Sequence, residues 1–355
     1  MLKPAHISGL GLGLCLALAL ATPPSGGQRG NAARLAPPAA GAVETNPPAA
    51  RAVAAIGGPS ALDLGRVVQA RDNSHRLVGA FADMGYRLDW LRDGTGTVPR
   101  LYLASLPNDL PDLQSSEIRK AAFIKAMLPL VLRVNEEILE RRARLGVIAA
   151  KQAVSGSLSE DEQAWLGETA ALYGLKSGGA KDLLARIDVV PPSLTLAQAA
   201  LESGWGTSRF AQKGNALFGQ KIFVQSAAAM PSYDGDGNEV FRMRGFDDLL
   251  GSVRSYVHNL NSHGAYADFR KARVEMRRKA RSERPAMTAL DSAQLARTLT
   301  AYSERGEDYT ADVGQLIQLN GLQVFDKARL AKDHGAKERG AAAMRPAPEP
   351  RAPRA

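Results

Sequence analysis

From about residue 61 onward, apolar residues recur at helical spacing through most of the chain. Asp72–Met84 reads as one helix, and Ser115–Leu145 as a longer one with Ile118, Ala122, Ile124, Met127, Leu130, Val134, Ile138 and Leu145 on its apolar side. Pro129 inside that run is expected to kink it or to start a new segment. Ser159 and Glu162 have capping-box spacing and open a helix to about Leu172. Leu249, Leu250, Val253, Tyr256, Val257 and Leu260 mark a clean amphipathic stripe behind Phe246-Asp247, and further helices are expected at about 265–281, 291–302 and 307–320. The densest stretch is 191–220, PPSLTLAQAALESGWGTSRFAQKGNALFGQ. Pro191 and Pro192 end what precedes, Ser193 is placed to cap, and Leu194, Ala197, Ala200 and Leu201 make the new helix apolar over most of its circumference. Thr195, Gln198 and Glu202 alone break that surface, on one narrow stripe, and Gly204 and Gly206 stop the helix just after the carboxylate.

Two stretches alternate instead. Tyr86–Leu91 and Val98–Leu103, around Asp93-Gly94-Thr95-Gly96, predict a hairpin. Two arms at about 220–224 and 239–246 flank Tyr233-Asp234-Gly235-Asp236-Gly237-Asn238, and predict a small β-lobe. The aspartates of that turn do not make a calcium loop: Glu239 stands where glycine is needed and Gly245 where glutamate is needed. The sequence contains no internal repeat.

The two ends differ from the middle. Residues 1–21 read as a secretory signal: Lys3 and His6, an apolar run from Leu10 to Leu20, then Ala19-Leu20-Ala21 as a cleavage site. The run is too short for an ordinary transmembrane span, which implies a periplasmic or secreted protein. The single cysteine, Cys15, lies within it behind Leu14, so the mature chain has no thiol, disulfide or Cys-ligated metal. Residues 22–60, rich in Ala and Pro, and the tail 327–355 cannot bury a core and read as disordered. These ends carry +3 and +5 of the +9 net charge, leaving about +1 for residues 61–326. The basic character therefore belongs to the tails, which suit anionic envelope polymers, and no basic–aromatic face for nucleic acid appears.

Glu202 is the strongest candidate for chemistry. A carboxylate on an apolar helix, at the end where the dipole disfavours negative charge, has a raised pKa and can hold the proton that a general acid needs. The bland alternative is a surface glutamate paired with Arg209. Against it stand Trp205 between two glycines and the run Gly214-Asn215-Ala216-Leu217-Phe218-Gly219, turn and stacking residues with no packing rationale. Here LAQAALESGWGTSRFAQKGNALFG resembles the signature of the bacterial glucosaminidase domain, glycoside hydrolase family 73, and the chain is most similar to its Bax-type members. AYSERGEDY at 301–309 is similar to the family's Tyr-Ser-x-x-x-x-x-Tyr element. The resemblance is strong over about 190–325. It implies a mainly α (α+β), lysozyme-like helical domain at 191–326 with a small β-hairpin lobe beside a cleft, preceded by a helical region at 61–190 that packs on it or covers part of the cleft. It implies cleavage of the bond after N-acetylglucosamine in peptidoglycan glycan strands, with no cofactor.

On this resemblance Glu202 is the acid, and Glu239 or Tyr302 supplies the second catalytic function. Glu239 begins the returning arm of the lobe, with Asp234 and Asp236 as rivals; alternatively the substrate's own 2-acetamido oxygen attacks and Tyr302 orients it. Gln198, Trp205, Asn215, Phe218 and Tyr309 are the expected substrate-binding or cleft-shaping residues. A muramidase or lytic transglycosylase on the same fold, or a non-catalytic wall-binding scaffold, are the competing readings. Other chemistries lack their motifs. Ala180 stands where a P-loop needs lysine, the five histidines form no HExxH, and no GxSxG elbow exists.

Overall fold

The computed structural model describes residues 66–68, 74–94, 96–176, 179–222, 229–234, 236–283 and 290–332, all belonging to a single compact unit of the chain. The stretches read as a signal segment (1–21) and a linker (22–60), and most of the basic tail, lie outside these residues.

The fold is mainly α with a small β-lobe. In chain order it runs β1 (Arg66–Val68), α1 (Ser74–Asp83), α2 (Leu88–Arg92), β2 (Leu101–Leu103), α3 (Ser116–Ser155), α4 (Glu160–Leu172), α5 (Ala180–Arg186), α6 (Pro192–Ser203) and α7 (Arg209–Gly214). Then come β3 (Lys221–Ile222), β4 (Ala229–Tyr233), β5 (Glu239–Arg244), α8 (Leu249–Ser262), α9 (Ala267–Glu283), α10 (Ser292–Ala296) and α11 (Glu307–Leu319). Short 3₁₀ turns stand at Leu110–Asp112, Gly264–Tyr266, Thr300–Tyr302 and Leu322–Lys327.

The central element is α3. Its buried face touches α1, β2, α5, α6 and α8. Ser115 caps it through a bond from the Ile118 amide, and Gly156 in the left-handed region ends it. Pro129 neither starts nor ends a segment: the 40-residue helix runs through it. A proline within a helix costs about 3 kcal/mol. Residues 122–135 are buried throughout, so packing on α6 and α8 outweighs that cost.

The hairpin expected at 86–103 does not form. Its first arm is the helix α2, and its second, β2, pairs in parallel with β1, Arg66 opposite Leu101 and Val68 opposite Leu103. A parallel partner cannot be joined by a tight turn, so no local signal announced it. The C-terminal strap reaches the same region: the Val98 amide donates to the Arg329 carbonyl, and Val98 accepts from Ala331. The β-lobe is present with one strand more than the two expected arms. β5 is central, paired antiparallel to β3 and β4. Pro231 in β4 is accommodated because that strand lies at the edge.

The catalytic-candidate helix α6 lies among α3, α10, α11 and the turn Leu322–Lys327. Its N-cap is Pro191, with Pro192 at the first helical position, where a missing N–H costs nothing. Ser193 is therefore not the cap. Its amide and hydroxyl donate to Asp326 Oδ1 and Oδ2 at 2.8 and 2.7 Å, so a distant carboxylate satisfies the helix start.

Candidate active site

The polar stripe of α6 turns inward. Thr195 and Gln198 are fully buried, and Glu202, one turn further on, is half-buried. Three successive residues with positive φ, Gly204 (59°), Trp205 (57°) and Gly206 (80°), reverse the chain directly after it. For tryptophan this conformation is strained by about 1–2 kcal/mol. It is held by bonds from Trp205 N to the Ala200 carbonyl (2.8 Å) and from Gly206 N to Ser203 Oγ (2.8 Å). The turn rests on the N-terminal region. The Trp205 ring meets Phe123 edge-on at 5.8 Å, Lys120 Nζ lies over it at 5.5 Å, and Gly206 faces Leu106, Leu110 and Phe123.

Around the Glu202 carboxyl group stands a cage of tyrosines. Tyr309 from α11, whose hydroxyl accepts from Gln198 Nε2 at 2.8 Å, is near enough to lower the Glu202 pKa. Tyr302 stacks on Tyr309 at 5.4 Å, with Tyr256 and Tyr266 against its other sides at 6.4 and 5.9 Å. Phe218 stacks on Tyr256 at 4.1 Å. On the remaining side Gly219 comes so close that Glu202 Oε2 occupies the place its Cβ would take. Glu202 Oε1 is buried with no hydrogen-bond partner among the described residues.

Burial raises the Glu202 pKa to about 8; the Tyr309 hydroxyl and the charge of Arg305 oppose the shift without cancelling it. At neutral pH the group is a carboxylic acid. Burial also raises the pKa of all four tyrosines, that of Tyr266 to about 12, and the neighbouring Glu202 adds to the effect. Arg209, the partner in the bland reading, instead donates to the Pro231 carbonyl at 2.7 Å.

The other sequence candidates fall in different places. Tyr302 joins the cage, but its hydroxyl donates to the Phe218 carbonyl at 2.8 Å and the residue is fully buried. Phe218, Gln198 and Tyr309 are equally buried. Asn215 caps α7 in the left-handed region, and its Nδ2 donates to the carbonyls of Phe246 and Asp247 at 3.1 and 3.3 Å, tying α7 to the start of α8. Glu239 opens β5 on the exposed lobe, forked with Arg242 at 2.5 and 3.0 Å, and that pairing lowers its pKa. No hydrogen bond or ion pair joins it to Glu202. Asp234 turns inward on its own loop, accepting from the amides of Asp236 and Asn238. Sequence reasoning missed Tyr256 and Tyr266, and it gave Gly219 only as part of a turn. Tyr256 belongs to an apolar stripe, and such a stripe reads as core.

A family model for glucosaminidase, described as mannosyl-glycoprotein endo-beta-N-acetylglucosaminidase, matches residues 178–322. The chain is 35% identical to Protein bax of Escherichia coli (strain K12) over 222 residues, which span 60% of this chain and 75% of that protein. No solved structure matches. The matched region contains the helix of Glu202, the glycine turn, the lobe and the tyrosine cage, and the chain belongs to the glucosaminidase family, glycoside hydrolase family 73, among its Bax-type members.

Proposed function

We infer that this glycoside hydrolase is an endo-β-N-acetylglucosaminidase of the cell wall, cutting peptidoglycan after N-acetylglucosamine with Glu202 as general acid. One observation carries the reading: Glu202, half-buried at the end of α6 against the tyrosine cage, has its pKa raised by burial to about 8 and so keeps its proton near pH 7. Such a proton is available to the glycosidic oxygen as the bond to C1 breaks. Water then completes hydrolysis at C1. Glu239 is the base in this reading, as the carboxylate that opens the returning arm of the lobe, β5. Tyr302, with its hydroxyl engaged, supports the cage and does not orient the substrate. The catalytic domain spans 191–326, the region 61–190 packs on it or covers part of its cleft, and the enzyme works in the periplasm or outside the cell.

Mass spectrometry of borohydride-reduced products from purified peptidoglycan, wild type beside Glu202→Gln, tests the reading. Reduced N-acetylglucosamine ends from the wild type, with cleavage lowered about 10²–10⁴-fold in the variant, support it. Reduced or anhydro-muramic ends would make the protein a muramidase or transglycosylase. Wall binding without cleavage by either protein would make it a scaffold. Full activity of Glu239→Gln would move the second function to the substrate's acetamido group.

A further inference from the structure

Three half-buried aromatic rings lie on the segments that lead away from Glu202, and a cation rests on each. Trp205, three residues past Glu202, carries Lys120 of α3, whose Nζ stands 5.5 Å from the ring centre. Phe210 in α7 carries Arg209, with Cζ at 4.5 Å. Phe241 of β5 carries Lys221, with Nζ at 5.0 Å. Phe210 and Phe241 meet at 6.3 Å, which joins the segment after Glu202 to the lobe. Lys221 follows Gly219 by two residues, and Gly219 lies against Glu202 Oε2. Both ends of this row are thus tied to the acid through a few residues of chain.

The three cations share a second feature: none has a close carboxylate partner among the described residues. Lys120 reaches Glu117 only at 3.8 Å, and Glu117 is 84% exposed. Such a pair is worth little in water. Arg209 donates to a carbonyl, that of Pro231. Lys221 makes no hydrogen bond or ion pair with a described residue. Other cations around the site are matched: Arg242, beside Phe241, is forked with Glu239, and Arg305 pairs with Asp312. A cation on a ring face keeps its charge and most of its donors for an outside anion.

We propose that Lys120, Arg209 and Lys221 recognise the carboxylates of peptide stems, so that the enzyme prefers stem-bearing glycan to bare glycan. The inference rests on peptidoglycan being the substrate. The sugars of that polymer are uncharged, and their apolar faces suit half-buried rings. Its negative charge is carried by short peptides hung from alternate sugars. A strand lying along the rings brings those peptides to the cations, which meet their carboxylates with charge-assisted hydrogen bonds. A bare polysaccharide gives the same cations nothing to neutralise.

The experiment measures kcat/KM of the full chain on soluble glycan strands in three forms: with stems, with the stem carboxylates amidated, and with the stems removed. Wild type is compared with Lys120→Gln, Arg209→Gln and Lys221→Gln, singly and combined. Wild type should prefer the first form to the other two. Each single change should lower that preference about two- to fivefold, and the combination should lower it further. The basic tails are present in every variant, so their attraction for anionic strands cancels in the comparison. Lys120→Arg and Lys221→Arg keep the charge and should keep the preference. Equal losses on all three forms would make these residues packing for their rings and overturn the proposal. So would a wild type that cuts amidated strands as well as native ones. The residues stand on α3, α7 and β3, so each is a separate test. Where a glutamine variant does not fold, methionine, which keeps the contact with the ring, replaces it. Product ends are read in the same assay. Muramic reducing ends would overturn the linkage assigned above and not this proposal, which the ratios alone decide. Should wild type not cleave, sedimentation binding to the three forms decides by the same ratios.

Discussion

Gly219 and Glu202 compete for one volume: a Cβ on Gly219 would lie 2.7 Å from Glu202 Oε2 and 3.5 Å from its Cδ. Gly219 also has φ +66°, which side chains adopt at a cost of about 1–2 kcal/mol. Gly219→Ala should push the carboxyl group out of its place among the tyrosines. Displacements of about 1 Å in a catalytic group cost on the order of 10²-fold in rate. A loss of that size in wall-clearing assays, with a lowered melting temperature, is expected; near-normal turnover would mean that the carboxyl position does not matter.

The pH dependence follows from the same group. An acid with a pKa of about 8 is competent below that value, so kcat/KM should fall above about pH 8, well into the alkaline range for a carboxyl group. Stability has its own sign. The folded pKa lies above the unfolded one, near 4.5, so the contribution of Glu202 is fully present below about pH 4.5 and is lost as pH rises to about 8. Glu202→Gln cannot ionise. Its melting temperature should exceed that of the wild type at pH 8 and draw level with it at pH 4, as scanning fluorimetry at the two values would show.

Gly206 measures how firmly the glycine turn is seated on the N-terminal region. A Cβ there would meet Leu106, Leu110 and Phe123 at 2.6, 2.9 and 3.0 Å, on a residue with φ +80°. Gly206→Ala should cost about 2–4 kcal/mol, combining backbone strain with overpacking. Denaturant unfolding would read it. A neutral result would mean that the turn and the region 104–123 do not bear on each other.

Asn215 is used up in structure. Its φ is +52°, and its Nδ2 bonds two carbonyls at the entry to α8. Asn215→Ala should remove about 1–3 kcal/mol of stability through those unsatisfied acceptors, and leave KM for glycan strands nearly unchanged at temperatures where the variant is folded. A raised KM with unchanged stability would make it a sugar ligand.

The helix carrying Glu202 was legible because its polar residues form one stripe on an otherwise apolar surface, and its end because three closely spaced positions use glycine or an aromatic. The capping box at Ser159 and Glu162 opens α4 at Glu160, where it was read. Features set by distant partners were not legible. Alternation in Tyr86–Leu91 coexists with Leu88 and Leu91 three apart, and α2 uses the latter spacing. The Ala229–Tyr233 strand does not alternate; it forms because β5 offers a free edge. The tyrosine cage draws on residues from 256 to 309, and an aromatic on an apolar stripe looks the same whether it faces the core or a buried acid.

The bond between Ser193 and Asp326 spans 133 positions in the sequence. The first turn of the helix that holds Glu202 is thus completed by almost the last residues of the fold. A chain cut off after the lobe would carry the acid but neither the tyrosines of the cage nor the clasp. A site assembled from these parts is complete only once the residues that follow the lobe have joined the fold.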